Sequence, residues 1–258
     1  MNRTAILTGV GVIVAGAALT AWVTPNTAPP PPPAPEYSEA QDAAFGERVR
    51  AYLLENPEVI FEAAAVMEQR QQEAQTANDG ELIAANSEAI FNDGQSWVGG
   101  NLDGDVTIVE FMDYRCGYCR RAFPEVEELI ESDGNIRVII KEFPILGEQS
   151  VIAARFAIAA QQELGDEPYK TLHDAMMTFK GDMSVDGLRG LAETLELDAE
   201  KIIAQMDSDA VSDVIAANRQ LGETLQITGT PSFIMQDQIL RGYVPLEGMQ
   251  EIVADIRD

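Results

Sequence analysis

The stretch Val106-Thr107-Ile108-Val109-Glu110-Phe111-Met112-Asp113-Tyr114-Arg115-Cys116-Gly117-Tyr118-Cys119 decides the fold of this chain. Its first seven residues, Val106 to Met112, are a β-branched and apolar run of strand length, and Cys116 to Glu131 reads as a helix. Ile136 to Phe143 is a second strand. Strand, helix and strand in that order make a βαβ unit. The two cysteines therefore stand where a strand hands over to a helix N-terminus.

Unpaired backbone N–H groups and the positive helix end favour a thiolate at Cys116, and Arg115, Arg120 and Arg121 add cationic charge. The i, i+3 spacing brings the second sulfur within bonding range. Cys116 is expected to attack and Cys119 to resolve. An inert disulfide is the alternative, but a bridge closing so short a loop contributes only about 2 kcal/mol or less. A metal site needs ligands beyond two thiolates, and none is expected here.

Composition narrows the field further. The 258 residues carry 43 Asp plus Glu against 17 Lys plus Arg, a formal net charge of −26. Such a surface repels phosphate backbones, which excludes an ordinary nucleic-acid binder and points to neutral or basic partners. At 46% hydrophobic the chain has enough apolar content for a core. Two cysteines and one histidine exclude a disulfide-rich scaffold and a four-ligand Cys/His zinc site.

Toward the N-terminus, Arg3 precedes the charge-free run Ala5 to Val23, about 28 Å long as a helix. Residues 1–24 read as a membrane anchor or a cleaved signal peptide, with the remainder exported. Seven of the thirteen prolines lie between Pro25 and Pro35, so 25–35 reads as a semi-rigid polyproline linker. Residues 36–100 hold 13 acidic and 3 basic residues among helix formers, with Asn56-Pro57-Glu58 marking a helix start. This segment reads as all-helical. The stripe Val59, Ile60, Ala63, Ala64, Val66 and Met67 suits either packing on the same chain or self-association as a stalk.

Toward the C-terminus, residues from about 149 to 226 are almost wholly helical in pattern. Strand character returns at Ser232 to Met235 and Ile239 to Val244, followed by a helix from Leu246. The helices read as an insertion into a small sheet. Three features accompany the cysteines: Pro124 within the helix, Glu110 on the preceding strand, and Thr230-Pro231 before the returning strand.

With these features in place, 101–258 resembles the thioredoxin superfamily, and within it the DsbA-like thiol-disulfide oxidoreductases. The resemblance implies an α/β thioredoxin-like fold with a helical domain inserted at about 149–226, preceded here by an all-helical N-terminal stalk. It also implies a cis Thr230-Pro231 bond against the cysteines, where an extended substrate strand pairs with exposed backbone. Thr230 and Pro231, with Gly117 and Tyr118, form the expected substrate-binding set. Glu110 resembles the family's buried acid that exchanges a proton with the resolving cysteine. Lys141 is its expected relay partner.

Gly117-Tyr118 resembles the dipeptide of bacterial disulfide isomerases rather than the Pro-His of strong oxidants. The expected potential is about −150 to −220 mV. The run Arg50 to Val59 resembles the N-terminal domain of ScsC-like proteins, some of which trimerise and which are linked to copper tolerance. The function so implied is a periplasmic protein disulfide isomerase without a cofactor, anchored in the inner membrane or secreted. Its partners would be misfolded exported proteins with cysteines and a membrane redox partner, and its state a homo-oligomer, with a trimer favoured. A copper-sequestering protein using the same thiols, a net oxidase, and a scaffold whose stalk is the functional part are the other readings. Among weaker signals, His173 acts on the thiols only if folded over them, Met176 and Met177 suit core filling better than copper ligation, and Trp97 is expected at the domain junction.

Overall fold

The computed structural model describes residues 38–258, which fall into two compact units, one ending at Ile60 and one running from Phe61 to Asp258. The expected anchor or signal peptide (1–24) and proline-rich linker (25–35) lie outside the described residues. Among those described, no helix is long and apolar enough to cross a membrane.

The first unit is built on α1 (Glu39–Glu55), which buries no residue. Phe45, Val49 and Tyr52 recur at helical spacing and are exposed. Asn56 ends this helix, its side-chain amide donating to the Tyr52 carbonyl at 2.9 Å. A new helix, α2 (Glu58–Ala85), starts just beyond Pro57. Asn56-Pro57-Glu58 thus marks one helix end as well as the next helix start.

In the second unit α2 is followed by α3 (Ser87–Phe91), β1 (Trp97–Gly100), β2 (Val106–Met112), α4 (Gly117–Asp133) and β3 (Ile136–Glu142). The helical insertion comprises α5 (Glu148–Leu164), α6 (Asp166–Thr178), α7 (Val185–Thr194), α8 (Ala199–Gln205) and α9 (Asp209–Thr224). The chain closes with β4 (Ser232–Met235), β5 (Gln238–Arg241) and α10 (Leu246–Arg257). The five strands form one sheet in the order β1-β3-β2-β4-β5, with β2 parallel to β3 and the other pairs antiparallel. This is the thioredoxin-like arrangement with its helical insertion.

Because successive strand residues face opposite ways, the sheet sorts its side chains into two cores. On one face Val106, Ile108, Ile136, Phe233 and Met235 meet Ala122, Val126 and Leu129 of α4 and Met249 and Val253 of α10. On the other, Val109, Phe111, Ile139 and Ile234 meet Ile83 of α2, Ile90 of α3 and Leu221 of α9. A third cluster joins Met112, Val138 and Ile140 to the alanine-rich inner face of α5 and to Tyr169, Leu172, Met176 and Met177 of α6. Both methionines fill core.

The reading of 36–100 as wholly helical is corrected at its end. Trp97–Gly100 is an edge strand paired with β3. Two consecutive glycines argue against a strand on propensity alone, but the geometry requires both. A Cβ on Gly99 would lie 2.0 Å from the Trp97 ring, and one on Gly100, at φ +68°, would lie 2.4 Å from the Ile136 carbonyl. Trp97 is buried, stacked on Tyr169 with ring centroids 6.0 Å apart, at the junction of sheet and insertion.

Candidate active site: a dithiol at a helix N-terminus

Strand β2 ends at Met112, and the turn that follows is fixed by Asp113. The Asp113 carbonyl accepts from the Cys116 N–H at 2.9 Å, while its carboxylate accepts from the N–H groups of Arg115 (2.8 Å), Ile145 (2.9 Å) and Leu146 (3.1 Å). One buried side chain thus shapes the approach to Cys116 and ties it to the loop after β3.

Cys116 is the N-cap of α4, with its Sγ accepting from the Cys119 N–H at 3.4 Å. Both cysteines are free thiols and both are buried, Cys116 at the rim and Cys119 completely. A hydrogen bond from the Cys119 thiol draws Cys116 down to about 5, helped by Thr230 and by the N–H groups of Cys119 and Tyr118 against the opposing effect of burial. The same thiol–thiol bond, together with burial and the charge of Glu110, pushes Cys119 far up. One sulfur is set to ionise and the other to stay protonated.

The arginines play a smaller part than their sequence position implies. Hydrogen bonds, rather than guanidinium charge, head the causes of the Cys116 shift. Arg120 is half-buried and donates to the carbonyls of Tyr114 (2.7 Å), Met176 (3.3 Å) and Phe179, joining α4 to the end of α6. Arg115 and Arg121 are exposed, the latter lying over the Tyr243 ring at 4.5 Å.

Thr230-Pro231 is a cis peptide, and the Thr230 carbonyl lies 3.1 Å from Cys116 Sγ. The Pro231 carbonyl accepts from the Gly242 N–H at 3.0 Å, which ties this turn to the end of β5. Gly117 and Tyr118 are exposed beside it, Tyr118 at 61%, with its ring 6.4 Å from that of Tyr243. Of the four residues expected to meet substrate, Gly117 and Tyr118 are thus exposed, Thr230 is half-buried against the Cys116 sulfur and Pro231 is buried.

Glu110 is buried on the sheet face covered by α4, and its Oε1 has no hydrogen-bond partner among the described residues. Burial raises its pKa to about 8, with the charges of Glu127 and Cys116 adding to the effect. Lys141 does not join it. In the β2–β3 register Lys141 stands opposite Phe111, so its side chain leaves the sheet on the face away from Glu110. There it is fully buried and donates to Asp93 at 2.6 Å and to Ser96 at 3.2 Å. The expected relay partner is thus an internal ion pair, because a one-residue step along a strand reverses the face.

The carboxyl that does share the face of Glu110 is Glu142, which sequence reasoning missed. It accepts from the Tyr114 hydroxyl at 2.8 Å and the Tyr169 hydroxyl at 2.9 Å, and Tyr114 Oη lies 3.0 Å from His173 Nδ1. Burial raises Glu142 to about 8 and lowers His173 to about 3, so the imidazole is neutral. His173 sits against Phe123 and Tyr114 rather than at the sulfurs. The signal for Glu142 was present in the period-two series Ile136, Val138, Ile140, Glu142, which continues a buried face.

Comparison with known proteins agrees with this geometry. Residues 107–254 match the DsbA-like thioredoxin domain family, and residues 41–74 match the copper resistance protein ScsC N-terminal domain. A thioredoxin-like oxidoreductase from Silicibacter pomeroyi is 40% identical, with a TM-score of 0.63 over 66% of this chain and 96% of its own. A linker-deletion mutant of Proteus mirabilis ScsC is 26% identical, with a TM-score of 0.65 over 86% of this chain and 97% of its own. The Na(+)/H(+) antiporter NhaA 1 of Salinispora arenicola is 27% identical over 157 residues, 60% of this chain. That match spans only 24% of the antiporter's length. With the family match covering more than half of its length, the chain belongs to the DsbA-like thioredoxin-domain family.

Proposed function

We propose that this protein is a periplasmic protein thiol-disulfide oxidoreductase acting chiefly as a disulfide isomerase on misfolded exported proteins. The observation that carries the reading is the asymmetric dithiol: Cys116, drawn down to about 5, caps a helix beside the Thr230 carbonyl, while Cys119 is buried and held protonated.

Cys116 thiolate attacks one sulfur of a substrate disulfide, forming a mixed disulfide and releasing the other sulfur as a thiolate. In isomerisation, a different substrate thiolate then attacks the substrate sulfur and returns Cys116 as thiolate, with no net electron transfer. If that step stalls, Cys119 gives its proton to the Glu110 carboxylate and attacks Cys116 Sγ. The substrate sulfur leaves as a thiolate, so the substrate disulfide is reduced to two thiols and the enzyme is oxidised to the Cys116–Cys119 disulfide. A raised Glu110 pKa suits both directions, since in the reverse reaction the protonated acid supplies the proton to departing Cys119. Extended substrate backbone docks at Thr230-Pro231, with Gly117 and Tyr118 facing it. The electrons reside on the cysteine pair, so no cofactor takes part, and a membrane redox partner resets the pair.

The exposed Phe45, Val49 and Tyr52 of α1 and the exposed Phe61, Val66 and Met67 of α2 support self-association, with a trimer as the favoured state. Several heads on one stalk would hold a misfolded chain while more than one dithiol acts on it.

Reactivation of scrambled ribonuclease tests this reading, using the full chain, Cys116→Ala, and Phe61→Glu combined with Met67→Glu. The expected result is strong reactivation that requires Cys116 and falls as the double variant loses its oligomeric state in sedimentation. Absence of reactivation with rapid disulfide transfer to a reduced peptide would make the protein a net oxidase. Retention of Cu(I) without any thiol exchange would make it a copper-binding protein.

A further inference from the structure

The buried polar cluster beside the dithiol is larger than the exchange reaction needs. Glu110 and Glu142 lie on the same face of adjacent strands: Glu110 stands opposite Ile140 and Glu142 opposite Met112, which places the two carboxyls at diagonal positions. Each keeps one buried oxygen, Oε1 of Glu110 and Oε2 of Glu142, without a hydrogen-bond partner among the described residues. The other Glu142 oxygen accepts from Tyr114 and Tyr169. Tyr114 lies two residues before Cys116, and Tyr169 belongs to α6, so this carboxyl joins the approach to the thiol with the helical insertion.

We propose that Glu142 is a second proton-holding carboxyl of the thiol site, a positioning residue that acts through Glu110 by setting the pH at which Glu110 accepts the Cys119 proton. The proposal rests on the reading of Glu110 as the acid–base partner of Cys119.

The charged and titratable groups around Glu142 fix the sign. From β2 and the turn after it, Glu110, Asp113 and Tyr114 face it; from α6, Tyr169 faces it, with His173 one hydrogen bond further and Lys170 beyond His173. Glu110 is faced in turn by Cys116 and Cys119, and by Glu127 of α4. His173 is neutral, so the cluster contains no cation in contact with either carboxyl among the described residues. Two carboxyls in one buried region without a cation resist double ionisation and titrate as a coupled pair. Both carboxyls are raised to about 8, so they ionise over the same pH range, and whichever is negative first keeps the proton on the other. Removing the Glu142 charge lets Glu110 ionise, and so accept a proton, at lower pH.

The experiment follows Cys119-dependent release of a chromogenic aromatic thiol from its mixed disulfide with Cys116, in the full chain, across pH. It compares wild type, Glu110→Gln, Glu142→Gln and the double variant. Wild type is expected to show a rise in release rate as Glu110 ionises, and Glu110→Gln to lose that rise. In Glu142→Gln the rise persists with its midpoint lower by about 0.5 to 1 pH unit, so that release is up to about twofold faster between about pH 8 and 9 and little changed at neutral pH, where Glu142 is itself protonated. The double variant should match Glu110→Gln.

A Glu142→Gln midpoint equal to wild type, with Glu110→Gln still flat, overturns the inference and leaves Glu142 a structural anchor. A rise that survives in Glu110→Gln overturns the underlying role of Glu110. Tyr169→Phe provides a second variant should Glu142→Gln fail to fold. Losing one donor makes the Glu142 carboxylate harder to form, so the midpoint moves in the same direction by a smaller amount, and an unmoved midpoint counts against the proposal. Carbon-13 titration of the Glu110 carboxyl in the same proteins reads the shift without turnover.

Discussion

The sulfur of Cys116 and the carbonyl oxygen of Thr230 are 3.1 Å apart, although 114 residues separate them in the chain. The whole helical insertion lies between them in sequence, and the sheet closes the gap because β4 pairs directly with β2. The Cys116 thiol and the half-buried Thr230 are thus brought side by side, with Pro231 buried next to them.

That arrangement predicts the fate of a trapped substrate. Cys116→Ala should abolish exchange, whereas Cys119→Ala should form a mixed disulfide that persists at least about a hundredfold longer, since the intramolecular thiol is gone. Non-reducing electrophoresis and mass spectrometry of the adduct check both outcomes. Accumulation of the adduct on Cys119 in wild type would reverse the assigned roles.

The part of the stability contributed by Glu110 and Glu142 should fall as pH rises from mildly acidic to mildly alkaline, opposed by Cys116 and His173, whose lowered pKa values act with the opposite sign. Glu110 and Glu142 are raised from their ordinary range to about 8, so the folded state binds more protons than the unfolded chain between those limits. Their favourable contribution is complete below about pH 4.5 and is lost as pH climbs through about 8, each unit of displacement being worth about 1.4 kcal/mol. Urea unfolding at a series of pH values should show this slope in the difference between wild type and Glu110→Gln or Glu142→Gln, in which the Cys116 and His173 contributions cancel.

Lys141→Met should destabilise the fold without slowing exchange. It removes the buried partner of Asp93, whose pKa, against the opposing effect of burial, is held down by hydrogen bonds from Lys141, Gln95 and Ser96. The expected loss is about 1–3 kcal/mol, because the aspartate keeps its other donors. Thiol-exchange rates should stay within about twofold of wild type, as for a substitution remote from the reacting atoms. A large drop in Cys119 resolution would restore Lys141 to the relay.

Much of this was legible because the strongest signals are local. Val106–Met112 and Ser232–Met235 read directly as strands, since β-branched and apolar runs of that length have few other uses. The cysteine pair declared itself by standing at a strand-to-helix handover. Residues whose meaning depends on the sheet face were harder. Lys141 and Glu142 are neighbours in sequence, yet one pairs with Asp93 and the other with Tyr114 and Tyr169. Choosing between them needed the β2–β3 register. The strand Trp97–Gly100 was obscured for a different reason, since its glycines serve the close approach of the Trp97 ring and the β3 backbone rather than strand propensity.

The most direct test of the account is the ultraviolet titration of thiolate absorbance in the reduced full chain, with Cys116→Ser as the control. The account predicts a single thiolate appearing with a midpoint near pH 5 and missing from the control, while Cys119 stays protonated through neutral pH. A first midpoint at or above about 8.5, the value of an ordinary cysteine, would contradict it.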